Sequence, residues 1–424
     1  MIPVRCRRPA VAAALLGAML LAVACGGGAS PPAAYRVGVV LPLQGPLAPG
    51  GHEEFLGVDI ARELVNADGG VGGRQIALDT QELDAVAQAQ PDIERLRADG
   101  VDAVIGAFNS QLSIPASASA AVGGLVYWEA GAVADRVTGR GLPLVFRVGA
   151  TGANLGSNSG RFAVEQLAPR LGRPPSGLRV SFVVADDEYA HSVADAARAR
   201  MSAAGMAVAS TSLYDPIKPD WPPVLTALRT AGPDILVLVS HIPDGIAFRH
   251  AMLAAQIHVG AMIGSTMAQC MYDFGDALGG DAVGVFASDR PGEGLDPSTL
   301  RPDGRALYQR FAARWHERTH GSPGEEGLSG FSAAWTLFHD VLPRAAAAGH
   351  LDARGIATAA RSVDLPEGSL PNGAGVRFAG DPAHLGQNLR AVAVIWQWQA
   401  VERSVVVWPS QYATGVPIDV PLPR

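Results

Sequence analysis

From position 35 onward, short runs rich in β-branched and aliphatic residues alternate with stretches whose apolar positions recur every three or four residues. The runs at 36–41, 75–80, 101–105, 125–128, 178–184, 234–240 and 283–287 read as strands. Between them the spacing predicts helices over 51–66, 86–98, 111–123, 152–171, 189–204, 219–231, 244–256, 301–320 and 327–348. Phe55, Val58, Arg62 and Val65 mark out one such stripe on the first helix. Ile235, Leu236, Val237, Leu238 and Val239 are apolar without interruption, as expected of a strand covered on both faces of a parallel sheet. This alternation specifies an α/β fold, and the number of units crowds a single open sheet. Two α/β lobes are therefore expected.

The seams fall where the pattern loosens, at 149–152 and at the Gly- and Pro-rich 288–296. Segments 391–398 and 404–408 read as two closing strands, and Pro417, Pro421 and Pro423 predict an extended tail over 410–424. At the other end, Arg5, Arg7 and Arg8 precede the apolar run 11–24. That run is shorter than the roughly twenty residues of a membrane span and suits a signal peptide over 1–24. It ends Leu21-Ala22-Val23-Ala24-Cys25, which resembles a bacterial lipobox with Cys25 as the acylated residue. The Gly-, Ser- and Pro-containing stretch 25–34 then reads as a flexible tether.

Composition narrows the classes. A hydrophobic content of 48% excludes a largely disordered chain, and a net charge of −7 lacks the basic field that nucleic-acid binding needs. Removal of 1–24 discards three arginines and leaves a still more acidic body. Three cysteines make no disulfide scaffold, and Cys270 reads as a small buried hydrophobe. No sequence feature calls for a cofactor. His316, Glu317 and His320 fit the H-E-x-x-H spacing of zinc hydrolases, but Gly321 and Pro323 end the helix at once. The metal reading is kept only as a remote alternative.

In open α/β sheets ligands bind beyond the carboxyl ends of the strands. That rule nominates loops 42–51, 106–111 and 129–133 in the first lobe, and 186–189, 241–245 and 265–269 in the second. Asn109 and Ser110 end a buried strand and open a helix, whose free backbone amides suit a carboxylate. Ser110 reads equally as the cap of that helix. Glu129, beside Tyr127 and Trp128, suits a cationic group or a surface arginine. Tyr189 reads as a lid or as the first apolar residue of its helix, and His241 and Asp244 as loop solubilisers.

Four segments in order, Gly38–Pro46 (GVVLPLQGP), Asn66–Ile76 (NADGGVGGRQI), Asp99–Ser110 (DGVDAVIGAFNS) and Asp364–Phe378 (DLPEGSLPNGAGVRF), resemble the type I periplasmic binding proteins of the leucine/isoleucine/valine group. The resemblance runs from about Tyr35 to Pro409. It implies two Rossmann-like lobes joined by three crossover segments, with a ligand cleft between them. Lobe one would hold 35–148 and 289–388, and lobe two 149–288 and 389–409. It further implies a monomeric, non-enzymatic, lipid-anchored protein on the outer face of the cytoplasmic membrane, handing a small polar metabolite to the permease of an ABC importer. A binding protein feeding a signalling receptor is the alternative. By position, the ligand carboxylate would meet Asn109, Ser110 and the loop bearing Glu129, Gly131 and Ala132, with Tyr189 and Thr266 opposite. Two departures stand out. The loop Gly264-Ser265-Thr266-Met267 lacks the acidic residue that commonly faces a ligand ammonium, and Gly50 replaces a cleft-mouth aromatic. The ligand is then an amino acid with Glu129 as the displaced ammonium partner, or a neutral amide or a carboxylate without an amine.

Overall fold

A computed structural model describes residues 32–265, 269, 272–292 and 294–423. The signal segment 1–24, Cys25 and most of the tether lie outside the described residues, as do Thr266, Met267 and Cys270.

Strands β1 (Tyr35–Leu41), β2 (Ile76–Glu82), β3 (Ala103–Gly106), β4 (Val126–Glu129) and β5 (Val145–Arg147) form a first sheet in the order β2-β1-β3-β4-β5. Every pairing in it is parallel. The period-2 geometry of a strand divides its side chains between two cores. Val39, Ile105 and Trp128 enter one core with Phe311 and Phe331, whereas Val40, Val104 and Tyr127 enter another with Leu96 and Leu112.

The second sheet takes β6 (Arg179–Ala185), β7 (Ala207–Tyr214), β8 (Ile235–Val239), β9 (Ala261–Ser265), β10 (Phe286–Asp289), β11 (Val394–Ala400) and β12 (Arg403–Trp408). Its order is β12-β11-β10-β9-β8-β6-β7, parallel from β7 to β10 and antiparallel through β11 and β12. This is the expected α/β architecture of two mostly parallel sheets. The chain passes from the first sheet to the second after β5, returns after β10 to helices packed on the first core, and comes back at β11. Val394 and Trp396 join the first core, while Ile395 and Trp398 join the second, so β11 binds the two halves together.

Three strands escape the hydrophobic pattern, the first of them β5, which is only three residues long. β7, with the sequence AVASTSLY, is a half-solvated edge strand, and β9 is interrupted by Gly264. A Cβ on Gly264 would stand 1.9 Å from Gln269 Oε1, so the strand gives up a side chain to seat that amide. The stripe on the first helix packs on the first core through Val58, Val65 and the half-buried Phe55, and the buried face is wider than that stripe. The Ala48–Ala67 helix also buries Gly51, Glu54, Gly57 and Ala61. Glycines make this second face possible. A Cβ on Gly57 would lie 2.2 Å from the Gly327 carbonyl oxygen, and one on Gly330 would lie 2.2 Å from that of Glu54. The Ala48–Ala67 and Glu325–Trp335 helices therefore meet backbone to backbone. Gly57→Val should force them apart and lower the unfolding free energy by about 1–3 kcal/mol. Urea denaturation of the folded domain measures this, and an unchanged midpoint would show that the crossing tolerates a side chain.

Candidate functional site

The geometry of the first-sheet loops begins with Phe108, whose φ of 77° lies in the left-handed region that a bulky residue seldom adopts. This conformation turns the chain from β3 into the Ser110–Gly123 helix. The Phe108 ring lies over Gly50, where a Cβ would come within 2.4 Å of it. An aromatic wall thus stands where position 50 lacks one. Asn109, not Ser110, is the helix cap: its side chain accepts the Leu112 amide at 2.9 Å. Ser110 is the first helical residue. Its Oγ accepts the Ala134 amide at 3.0 Å, which holds the 129–134 loop against the helix start and leaves the hydroxyl its own proton to donate.

Glu129 is fully buried and turns back onto its own loop. Its Oε1 accepts the amides of Gly131 at 3.0 Å and Ala132 at 2.8 Å. Burial pushes its carboxyl up to about 7, against the pull of those amides. The adjoining aromatics do not make a cation box: Trp128 donates to the Ala333 carbonyl oxygen, and Tyr127 to Ser113 Oγ. Arg147 fixes the rest of the loop. It donates to the carbonyl oxygens of Ala132 and Ala134, to Thr138 Oγ1 at 2.9 Å and to Gln387 Oε1 at 2.7 Å.

Around Gly131 the structure assembles charged residues that sequence reasoning missed. Arg290, just past β10, is 3% exposed and donates to the Gly131 carbonyl oxygen at 2.7 Å. Its guanidinium pairs with Glu325 and, at 3.3 Å, with Glu326. Burial alone would lower the Arg290 pKa, but Glu325 and Glu326 overcome that and hold it above its ordinary value. Glu54 is 0% exposed, and among the described residues neither carboxylate oxygen has a hydrogen-bond partner. A Cβ on Gly131 would stand 2.3 Å from Glu54 Oε2, so only glycine fits above that carboxylate. Burial, then repulsion from Glu129, pushes Glu54 well above the usual carboxylate range, and burial carries Glu325 to about 8. Phe108, Asn109, Ser110, Gly131, Ala132, Val133, Arg290 and Glu326 together line a small cavity. One signal was available for Glu54: its place on a buried 3/4 spacing between Gly51 and Val58.

Tyr189 does not line that cavity. It is buried at the carboxyl edge of the second sheet, with its hydroxyl 3.4 Å from the Ser240 carbonyl oxygen and its ring 5.3 Å from that of His241. His241 and Asp244 are not solvated loop residues. Asp244 is 4% exposed and accepts from Tyr214, and His241 Nε2 lies 2.6 Å from Asp187 Oδ2. Burial lowers the His241 pKa, yet the Asp187 hydrogen bond outweighs it and raises the net value. The two carboxyl edges meet directly: Asp135 donates its amide to Ser192 Oγ at 3.1 Å, and Arg136 pairs with Glu188 at 2.6 Å. The H-E-x-x-H motif is engaged in local and inter-helix contacts, with Arg318 paired to Asp59. Glu317 pairs with Arg314, and His320 caps its helix with a φ of 59° instead of extending the His316 face.

The sequence pattern of the periplasmic binding protein family matches residues 34–395. The Leu/Ile/Val-binding protein homolog 8 of Brucella abortus is 30% identical over 381 residues, spanning 89% of this chain and 91% of the relative. Among solved structures, the leucine binding protein LivK of Thermotoga maritima superposes with a TM-score of 0.73 at 16% identity, covering 88% of this chain and 98% of that one. A solute binding protein from R. palustris in complex with benzoate superposes with a TM-score of 0.69 at 17% identity, covering 90% and 98%.

The raised carboxyls make stability depend on pH with a definite sign. A carboxyl whose folded pKa exceeds its unfolded value keeps its proton in the native state after the unfolded chain has lost it, so its contribution falls as pH rises toward the folded value. Glu54→Gln removes one such group. The variant should gain stability relative to wild type as pH rises from 5 to 8, because burial, then repulsion from Glu129, hold the Glu54 carboxyl well above the usual carboxylate range. Thermal melts of both proteins across that range check this, and a gap independent of pH would contradict it.

Proposed function

The chain belongs to the periplasmic binding protein family, and from that premise we propose that it is a lipid-anchored receptor delivering a small polar metabolite to an ABC permease. That it is a solute-binding protein of the ABC-transporter type, and not an enzyme, follows from the family and the relatives. The ligand class, the anchor and the delivery step are our reading.

One observation carries it: the loops beyond β3 and β4 and the helix beyond β6 present the carboxyl edges of both sheets to each other. A ligand lodged there touches both halves at once, and whatever touches both halves favours the conformation in which they are close. On the first sheet the ligand carboxylate would meet the Ser110 hydroxyl and the Asn109–Ser110 helix start. On the second it would meet Tyr189 and Thr266. Glu129 is better suited to shaping the loop than to touching the ligand, because its Oε1 already takes the Gly131 and Ala132 amides. Those amides thereby serve the ligand indirectly, through the loop they hold. Among the described residues no helix is long and apolar enough to cross a membrane. Attachment is assigned to Cys25 on the lipobox-like run that ends there.

A calorimetric screen of amino acids, amides and small carboxylates should find at least one ligand that also raises the melting temperature. Ser110→Ala should weaken that ligand by about 1–3 kcal/mol, through loss of a hydrogen bond to a charged group. No heat and no thermal shift across the screen would overturn the binding assignment, and unchanged affinity would take Ser110 out of the site. For the anchor, cells fed labelled fatty acid should label the wild-type chain and leave Cys25→Ser unlabelled. Equal labelling of the two would move the attachment elsewhere.

A further inference from the structure

The cavity bounded by Ser110 and Gly131 is bounded also by Arg290 and Glu326, and the sign of the charge around it limits what can enter. Arg290 is the cation that Glu325 and Glu326 directly engage, and Asp289 Oδ1 stands 4.0 Å from its Nε. One guanidinium thus faces three carboxylates before Glu54 is counted. Glu54 adds a fourth, fully buried and without a hydrogen-bond partner among the described residues, under the glycine that lines the cavity. A buried carboxylate lacking a donor is expensive, and the cost falls when a cation is brought to it.

We propose that Glu326 and Glu54 form the subsite for the cationic nitrogen of the ligand, on the first-sheet side of the cleft, in place of an acidic residue on the second-sheet loop at 264–267. The proposal rests on the solute-binding reading and sharpens it: the ligand is a carboxylate that also carries an ammonium, amidinium or guanidinium. Glu326 lines the cavity and bonds only weakly to Arg290, with both distances at 3.3–3.4 Å, so it can turn to a second donor. Glu54 supplies field from beneath Gly131. Arg290, held by the Gly131 carbonyl oxygen and by Glu325, keeps the carboxylates from repelling one another when the ligand is absent.

The protonation of this cluster gives a second readout. Glu54 is faced by Glu129 and Tyr127 from the β4 side, by Arg290 from beyond β10, and by Glu325 and Glu326 from the helix beneath. Burial raises these carboxyls, so the ligand-free site keeps protons to higher pH than exposed carboxyls would, and an arriving cation displaces those that remain.

The test compares matched pairs by calorimetry: leucine against 4-methylpentanoate, phenylalanine against 3-phenylpropanoate, and lysine against hexanoate. Wild-type protein should bind the nitrogen-bearing member of at least one pair about tenfold or more tightly than its partner, a difference of about 1.4 kcal/mol. Glu326→Gln, which keeps the shape of the side chain, should reduce or abolish that preference. Binding to wild type should release protons, seen as a heat that changes with the ionisation enthalpy of the buffer, and should strengthen as pH rises from 6 to 8. That readout needs no variant and so survives any failure of Glu326→Gln or Glu54→Gln to fold. Equal or tighter binding of the deaminated member, or proton uptake on binding, would overturn the cation subsite and leave solute binding intact. Absence of heat with every compound would overturn both.

Discussion

Arg290 lies where three parts of the chain meet: the end of β10, the loop beyond β4 and the start of the Glu325–Trp335 helix. Water is largely excluded there, so its charge has to be met by protein groups with fixed positions. Glu325 and Glu326 meet it on one side and the Gly131 carbonyl oxygen on the other. The loop that borders the cavity is therefore fastened both to the strand end of the second sheet and to a helix of the first core. Leaving either partner of such a pair alone in the interior is costly, which ties the shape of the site to the crossing of the chain between sheets.

The glycine-paved contact between two helices serves the same end. Because Gly57 and Gly330 let the backbones touch, Glu54 reaches the underside of Gly131 and Glu326 reaches its cavity. A larger residue at either glycine would widen the spacing and withdraw both carboxylates. Arg147 performs the corresponding task from the other side, gathering the carbonyls of Ala132 and Ala134 with Thr138 and Gln387. Asn388, next to Gln387, bonds the Val148 carbonyl oxygen at 2.8 Å, so the first crossing between sheets is pinned by the same short segment. Loop shape and the inter-sheet crossing thus share their fastenings.

The α/β alternation could be read from the chain because buried parallel strands write themselves as unbroken aliphatic runs, as in Ile235–Val239. β7 could not, since an edge strand with one solvated face carries serines and threonines that resemble a loop. Asn109 and Ser110 were visible because a strand end followed by a helix start has a recognisable composition, although which of the two caps the helix depends on backbone angles. Glu54, Arg290 and Glu326 were not visible as a site. A glutamate on a helix reads as solvated until the facing glycines are known to draw the next helix over it. The pairing of Arg290 with Gly131 and Glu326 joins positions that only the folded chain brings together. Hydrophobic spacing found the Phe55, Val58 and Val65 side of the first helix but not the face of Gly51, Glu54 and Gly57, because it assigns no weight to glycines that pack by being small.

The central claim is that a buried surplus of carboxylates selects a ligand bearing both an anionic and a cationic group. Native mass spectrometry of the protein purified from its producing cells, with identification of the small molecule it releases, tests this most directly. The predicted result is a stoichiometric complex whose released molecule has a carboxylate and a nitrogen that is cationic at neutral pH. Release of a carboxylic acid without such a nitrogen would contradict it.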